Sequence, residues 1–433
     1  MQLSLSGTRM AGVSGLRGIM EDVAASTAGA SADEWLNLGV GNPAPIPEAH
    51  DMWRAALAES LADDFGQTSC RYGPSRGSQV LIEAVVDYFR RTYGWRLGPE
   101  NVVVGPGSQM VCFAAAALFA GPGARGDRKI VLPMVPDYTG YQGLCMHERG
   151  IAGVPPRIEQ QGDHRFRYAL DIEGLRRQSD IGVLLVSSPG NPTGRALDRA
   201  DLDALIAVAT EREVPLFLDH AYGSPFPRIA EVHTEPVLHD NVVNCFSVSK
   251  AGLPGERLGF AIGAPEYIDA LAAFMSNSVL HAPQLPQAAL ARTLRDGRLD
   301  HVTHHAIAPY YREKKQFVAD LLSEVMPPDM DWRMHSGAGG MFCWLWVNHG
   351  WFDDIALYNR LKDRRVFIVP GRHFFVEPLS SAAPGEHATR CFRISLSTEE
   401  KVLTEGVRRV AEVLREMRDA ASAIGAPPPR SGE

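Results

Sequence analysis

Six short apolar runs limit what this chain can fold into: Val102 to Val104, Lys129 to Leu132, Gly182 to Ser187, Pro215 to Asp219, Val242 to Ser247 and Leu258 to Ile262. Their apolar residues follow one another without a polar alternation, so each reads as a strand covered on both faces, and helical stretches separate them. That pattern predicts an α/β fold with a mostly parallel sheet, helices on both sides and right-handed crossovers. The larger unit is assigned to residues 51–295. Later strand-like runs at Met341 to Val347, Val366 to Val369 and Cys391 to Leu396, closing on a helical pattern from Glu399 to Met417, predict a smaller α/β unit over 296–425. Residues 1–50 are read as an N-terminal segment that belongs in part to the smaller unit. The Pro427 to Pro429 run makes 426–433 a disordered tail.

With 433 residues, 45% hydrophobic and 22% charged, the chain can bury a large core. No apolar run approaches the roughly 20 residues of a membrane-spanning helix, so no membrane partner is expected. Forty-three basic against 51 acidic residues give a net charge of -8, which argues against a general electrostatic grip on nucleic acid. The six cysteines are dispersed, without CxxC pairs or metal-ligand spacing; free buried thiols, no metal and a reducing cytoplasm are expected. Met1 to Glu21 lacks a basic start followed by an apolar stretch, so no secretory signal is read and the mature chain is expected to begin near Met1. Of the 43 basic residues only six are lysines, which makes each lysine worth weighing.

Lys250 stands out, in the run Ser247-Val248-Ser249-Lys250-Ala251-Gly252-Leu253-Pro254-Gly255-Glu256-Arg257 directly after a buried strand. Hydroxyls, glycines and two cations at a strand end can share the charge of a bound anion. A glycine-rich turn with solvated charges is the plainer alternative. Asp219 ends another strand and Tyr222 follows it, where a carboxylate can hold a heterocyclic nitrogen protonated and a phenol can bond an oxygen. A helix cap and a packed tyrosine would look the same. Upstream lies a third strand-end loop, Ser188-Pro189-Gly190-Asn191-Pro192-Thr193-Gly194.

Asn191-Pro192-Thr193-Gly194, Asp219 with Tyr222, then Ser247 to Lys250 and Arg257, in that order, resemble the fold-type I pyridoxal phosphate enzymes of the aspartate aminotransferase superfamily. The resemblance implies that fold, with a large mostly parallel domain and a smaller α/β domain, and pyridoxal 5'-phosphate as cofactor. It implies an internal aldimine on Lys250, a salt bridge from Asp219 to the ring nitrogen, and hydrogen bonds from Asn191 and Tyr222 to the ring 3-oxygen. A protonated ring is an electron sink for a substrate carbanion, and a freed lysine amine is a mobile base. Gly107, Ser108 and Gln109 resemble the phosphate loop at a helix N-terminus, assisted by Ser247, Ser249 and Arg257. Tyr138 resembles the aromatic that stacks on the ring. Tyr72 resembles the tyrosine that reaches the neighbouring subunit's phosphate, which implies a homodimer. Arg393 matches the arginine that pairs with the substrate α-carboxylate, where guanidinium geometry suits a two-point clamp. Gly41, in Gly39-Val40-Gly41-Asn42-Pro43, lies in a segment resembling the one that folds over the site and offers N–H groups to that carboxylate.

Within the superfamily the chain is most similar to the valine-pyruvate aminotransferases, from Ser14-Gly15 and Met20-Glu21-Asp22 through Ala221 to Pro227 and Gly252 to Gly255, to Val369-Pro370-Gly371 and Phe374-Phe375. Two stretches depart from that pattern: Met275 to Gln284 is more polar than expected, and Arg372-His373 is atypical. Both are candidates to line the substrate or dimer side. The resemblance implies transfer of an amino group between an α-amino acid, valine- or alanine-like or from specialised metabolism, and a 2-oxo acid. The alternative is a lyase or β/γ-replacement enzyme acting on an amino acid with a side-chain leaving group, because the same cofactor residues permit both. A cofactor-sensing transcription regulator would need a basic DNA-binding module, and the aminotransferase-like pattern leaves no room for one.

Overall fold

A computed structural model of the protein describes residues 2–12, 15–28, 34–124, 126–147, 150–231, 234–376 and 385–425. The expected tail at 426–433, and Ser14 of the N-terminal motif, lie outside them.

The larger sheet is mixed, and its central strands are parallel. Val242–Ser247, Leu216–Asp219, Ile181–Ser187 and Gly126–Leu132 run side by side in the same direction. Gly259–Ile262 turns back antiparallel between Val242–Ser247 and Val102–Gly105. Every residue of the strands starting at Ile181, Leu216 and Val242 is buried, and the reason lies in what covers each face. Val102, Val104, Phe246 and Phe260 join one core with the helices Pro47–Thr68, Gln79–Tyr93 and Gln284–Arg295. Val103, Cys245 and Ala261 point the other way, onto Ser108–Phe119 and Pro265–Ser278. Successive side chains of a strand alternate between faces, so a sheet covered twice needs the unbroken apolar runs seen in the sequence.

A second sheet runs in the spatial order Val369–Pro370, Cys391–Ser395, Phe342–Val347, Trp332–His335, Arg165–Ala169, Arg157–Gln160. Its last two strands fall inside the range 51–295 assigned to the larger unit, so the chain visits the second sheet once before its C-terminal part builds the rest. Periodicity explains why these two strands carry no clear sequence signal. Arg165–Ala169 buries Phe166 and Tyr168 and turns charged residues outward, and Arg157–Gln160 is largely exposed. The run read as one strand at Val366 to Val369 is two: Val366–Phe367 pairs with Leu36–Asn37, and Val369–Pro370 pairs with Cys391–Ser395. The N-terminal segment thus docks on the second unit, where the Leu38 carbonyl accepts from the Ser395 N–H at 2.7 Å.

No helix among the described residues is long and apolar enough to cross a membrane. Ser187, Asp219 and Ser247 close three adjacent parallel strands at one edge. That carboxyl edge is where open α/β sheets hold their ligands.

Candidate active site

Lys250 sits in a tight turn, Ser249–Ala251, at the end of the strand Val242–Ser247. Gly252 leaves the turn at φ +105, a left-handed conformation that glycine adopts without strain, and Ala49 and Trp53 pack against it. Trp53 Nε1 also donates to the Ala251 carbonyl at 2.8 Å, fixing the turn from beneath. Lys250 Nζ donates to the Gly41 carbonyl at 2.6 Å and lies 5.9 Å from the centre of the Tyr222 ring. Burial draws the Lys250 amine down to about 8, helped by the nearby Arg393 and Arg257 and opposed by Asp219. An amine so shifted keeps a useful neutral fraction near neutral pH, which nucleophilic and basic roles both need.

Asp219 is buried, and burial pushes its carboxyl up to about 6. Four groups hold it from rising further: the Tyr141 hydroxyl, the Ala221 N–H, the Ser108 hydroxyl and the charge of Lys250. Tyr141 donates to Oδ2 at 2.9 Å and Ala221 N to Oδ1 at 3.0 Å. Tyr141 did not emerge from the sequence, although Tyr138, which precedes the short helical turn Thr139–Leu144, and Tyr141 within it are spaced by three and hold their rings 5.2 Å apart between centres.

Gly107 precedes the helix Ser108–Phe119 at φ +86, and a Cβ there would meet Arg257 Nη2 at 2.6 Å. The guanidinium therefore lies flush on the helix start. Arg257 itself holds φ +50, uncommon for a residue with a side chain. Its Nη1 donates to Ser249 Oγ at 3.4 Å, and Ser247 Oγ donates to Ser249 Oγ at 3.0 Å. Gln109 Nε2 is turned away, to the Gly140 carbonyl at 3.2 Å, which leaves the backbone of the helix start as its contribution. Helix N–H groups, two hydroxyls and a guanidinium make a donor set that fits a phosphate ester.

Arg393 is 3% exposed and lies between two rings, 3.9 Å from the centre of Phe342 and 5.2 Å from Phe374. Nη1 donates to Asn191 Oδ1 at 3.0 Å and Nη2 to the Gly39 carbonyl at 2.8 Å, while Nε has no partner among the described residues. A buried guanidinium with an unsatisfied donor, and no ion pair to a carboxylate among the described residues, suits an anionic ligand. Asn191 Nδ2 is 3.5 Å from the Tyr222 hydroxyl. The segment Gly39 to Pro43 does lie over the site, but carbonyls of Gly39 and Gly41 face the two cations in place of the N–H groups that the resemblance implies.

Tyr72 stands apart from these residues. It is 86% exposed, edge-on to His281 at 5.9 Å between ring centres. Its loop is clamped by Gln284, the last residue of the polar stretch that departs from the family pattern, and by Gln287 beyond it: Gln284 Nε2 donates to the Arg71 carbonyl at 2.7 Å, and Gln287 Oε1 accepts from Ser78 N at 2.8 Å. Arg372, a candidate to line the substrate or dimer side, binds the Asp353–Asp354 helix start, with Nε donating to Asp354 Oδ1 at 2.7 Å.

Fold and site together define a class, the pyridoxal 5'-phosphate enzymes of fold type I. The chain belongs to the aminotransferase class I and II family, whose sequence profile matches residues 33–410. It is 32% identical to the valine-pyruvate aminotransferase of Escherichia coli K12, over 95% of this chain and 98% of that one. It is 28% identical to the 2-aminoadipate transaminase of Thermus thermophilus, over 86% and 88%. The crystal structure of a valine-pyruvate aminotransferase from Salmonella typhimurium LT2 superposes with a TM-score of 0.83 at 29% identity, covering 93% of this chain and 99% of that one. The protein is thus an aminotransferase that moves an amino group between an amino acid and an oxo acid, with pyridoxal phosphate as cofactor.

Proposed function

We propose that Lys250 is the catalytic residue of this transfer, holding the cofactor through Nζ and, once that amine is released, moving the proton at the substrate α-carbon. The observation that carries the reading is the convergence of one half-buried lysine, its amine drawn down, with Asp219, the Asn191–Tyr222 pair and the part-satisfied Arg393. Pyridoxal phosphate bound there supplies an electron-withdrawing ring that stabilises negative charge on the substrate α-carbon.

Each remaining role belongs to the chain's own groups. Asp219 keeps the ring nitrogen protonated, and Tyr222 and Asn191 donate to the 3-oxygen. Gly107, Ser108 and Gln109 hold the phosphate through the helix start, with Ser247, Ser249 and Arg257. Tyr138 covers the ring face. Arg393 takes the substrate carboxylate, and Gly41 closes over it. Tyr72 reaches the phosphate of a second copy in a homodimer, which its exposure supports. The donor is a valine- or alanine-like amino acid, a reading supported by the valine-pyruvate relative. The enzyme works in the cytoplasm, in keeping with free thiols at all six cysteines.

Mixing cofactor-loaded protein with single amino acids, without an oxo acid, tests the proposal. Conversion of the cofactor to its amine form with one equivalent of oxo acid supports it and names the donor. Catalytic release of a side-chain leaving group with the aldehyde form regenerated would sink it in favour of a lyase or replacement enzyme.

A further inference from the structure

Asp137 is buried, 4% exposed, in the turn that leads into Tyr138. Its carboxyl receives three donors. Oδ1 accepts from Tyr138 N at 2.7 Å and from the Ser187 hydroxyl, and Oδ2 accepts from Ser187 N at 3.2 Å. Three donors on two oxygens fit the carboxylate form. Its own N–H donates to the Phe374 carbonyl at 3.2 Å, and the Phe374 ring lies against the Arg393 guanidinium.

Ser187 passes this contact on. Its hydroxyl gives its proton to Asp137, which fixes the rotor and turns an oxygen lone pair toward Asn191 N at 3.4 Å. Asn191 then meets Arg393 through Oδ1 and Tyr222 through Nδ2. One carboxylate is thereby joined to the ring-covering tyrosine, to the loop that carries Asn191 and to the aromatic wall of the carboxylate clamp.

We propose that Asp137 is a positioning residue that, acting through Ser187, sets the pose of Asn191 and with it the alignment of the Arg393 clamp. This inference rests on the roles proposed for Asn191 and Arg393. Burial and the neighbouring Asp219 push the Asp137 carboxyl up to about 7, while the three donors pull it down. Replacing the carboxylate by an amide puts an NH2 against an N–H whichever way the amide turns, at Tyr138 N or at Ser187 N. Ser187→Ala removes the relay and leaves both backbone donors in place.

The test compares wild-type holoenzyme with D137N and S187A by two readouts. One is the pH midpoint of the cofactor absorption band, which responds to hydrogen bonds at the 3-oxygen. The other is the dissociation constant of isovalerate, a monocarboxylate probe for Arg393. Both variants are expected to bind isovalerate about tenfold more weakly, the loss of roughly one hydrogen bond to a charged group. Their midpoints are expected to rise by about half a pH unit or more, because lost donors no longer favour the deprotonated form. Unchanged midpoint and affinity in S187A, with or without lower thermal stability, would overturn the proposal. If D137N does not fold, S187A decides the outcome alone. A wild-type protein that shows no titrating band or no isovalerate response would instead strike at the roles proposed for Lys250 and Arg393.

Discussion

Burial acts in opposite senses on the two charged groups at the centre of the site, lowering the Lys250 amine to about 8 and raising the Asp219 carboxyl to about 6. Each shift costs the charged form its solvation, and each is limited by the other's charge. The amine is therefore partly neutral, and the carboxyl mostly ionised, in the same range above neutrality. Lys250→Ala removes the amine and with it covalent attachment of the cofactor. Borohydride treatment followed by mass spectrometry should fix cofactor mass to the Lys250 peptide in the wild type and to no peptide in the variant, with amino transfer lost. Tyr141→Phe tests the restraint on Asp219. Without the 2.9 Å hydrogen bond that favours its charged form, the carboxyl rises further. In cofactor-free protein the Asp219 carboxyl, followed by carbon NMR, should then titrate about one pH unit higher, since a hydrogen bond to a charged group contributes on the order of 1.5 kcal/mol. A titration that stays in place would show that Tyr141 does not tune Asp219.

At the scale of elements, one link between the two sheets, beside the Arg393–Asn191 contact, passes through His335, on the strand Trp332–His335. Its Nε2 accepts from Tyr168 N at 3.0 Å and its Nδ1 lies 3.0 Å from the Thr193 carbonyl, so the neutral ring ties the second sheet to the Asn191–Gly194 loop. Burial lowers its pKa from 6.5 to about 3. The unfolded chain therefore takes up this proton first, and the stability contributed by the neutral ring is lost as pH falls below about 6.5. Against His335→Gln, the wild type's advantage in urea unfolding should shrink by about 1.4 kcal/mol per pH unit between about pH 6 and pH 4. A pH-independent difference would mean that His335 is not neutral when folded. This link was not legible in the sequence, and the reason is physical. The central strands announce themselves because both faces are buried, and Asn191, Asp219 and Lys250 stand at or just past their ends, while Arg393 lies within Cys391–Ser395 of the second sheet, itself a fully buried run. His335 and Tyr168 lie on strands of only four and five residues, where the pattern is too short to carry a signature. Asp137 and Tyr141 were likewise hidden, since nothing local distinguishes a carboxylate or phenol that supports a site from one that packs beside it.

For the molecule as a whole, the residue that its own chain leaves unexplained is Tyr72. Gln284 and Gln287 hold its loop, yet the ring itself is 86% exposed. Holding a backbone loop in place costs conformational entropy, so a clamp around an exposed aromatic makes sense where a second copy receives it. Mixed dimers distinguish a crossing tyrosine from a local one. In a hybrid of a Lys250→Ala subunit with a Tyr72→Ala subunit, crossing leaves one site with neither defect and concentrates both in the other. The hybrid should then contain one wild-type-like site, with wild-type cofactor retention and kcat/KM per surviving site. If Tyr72 serves its own subunit, the surviving lysine shares its site with the alanine, and the hybrid should show only the kinetics of the Tyr72→Ala homodimer. A single gel-filtration peak at monomer mass for the wild-type holoenzyme would remove the crossing altogether, because no second subunit would be present to receive the ring.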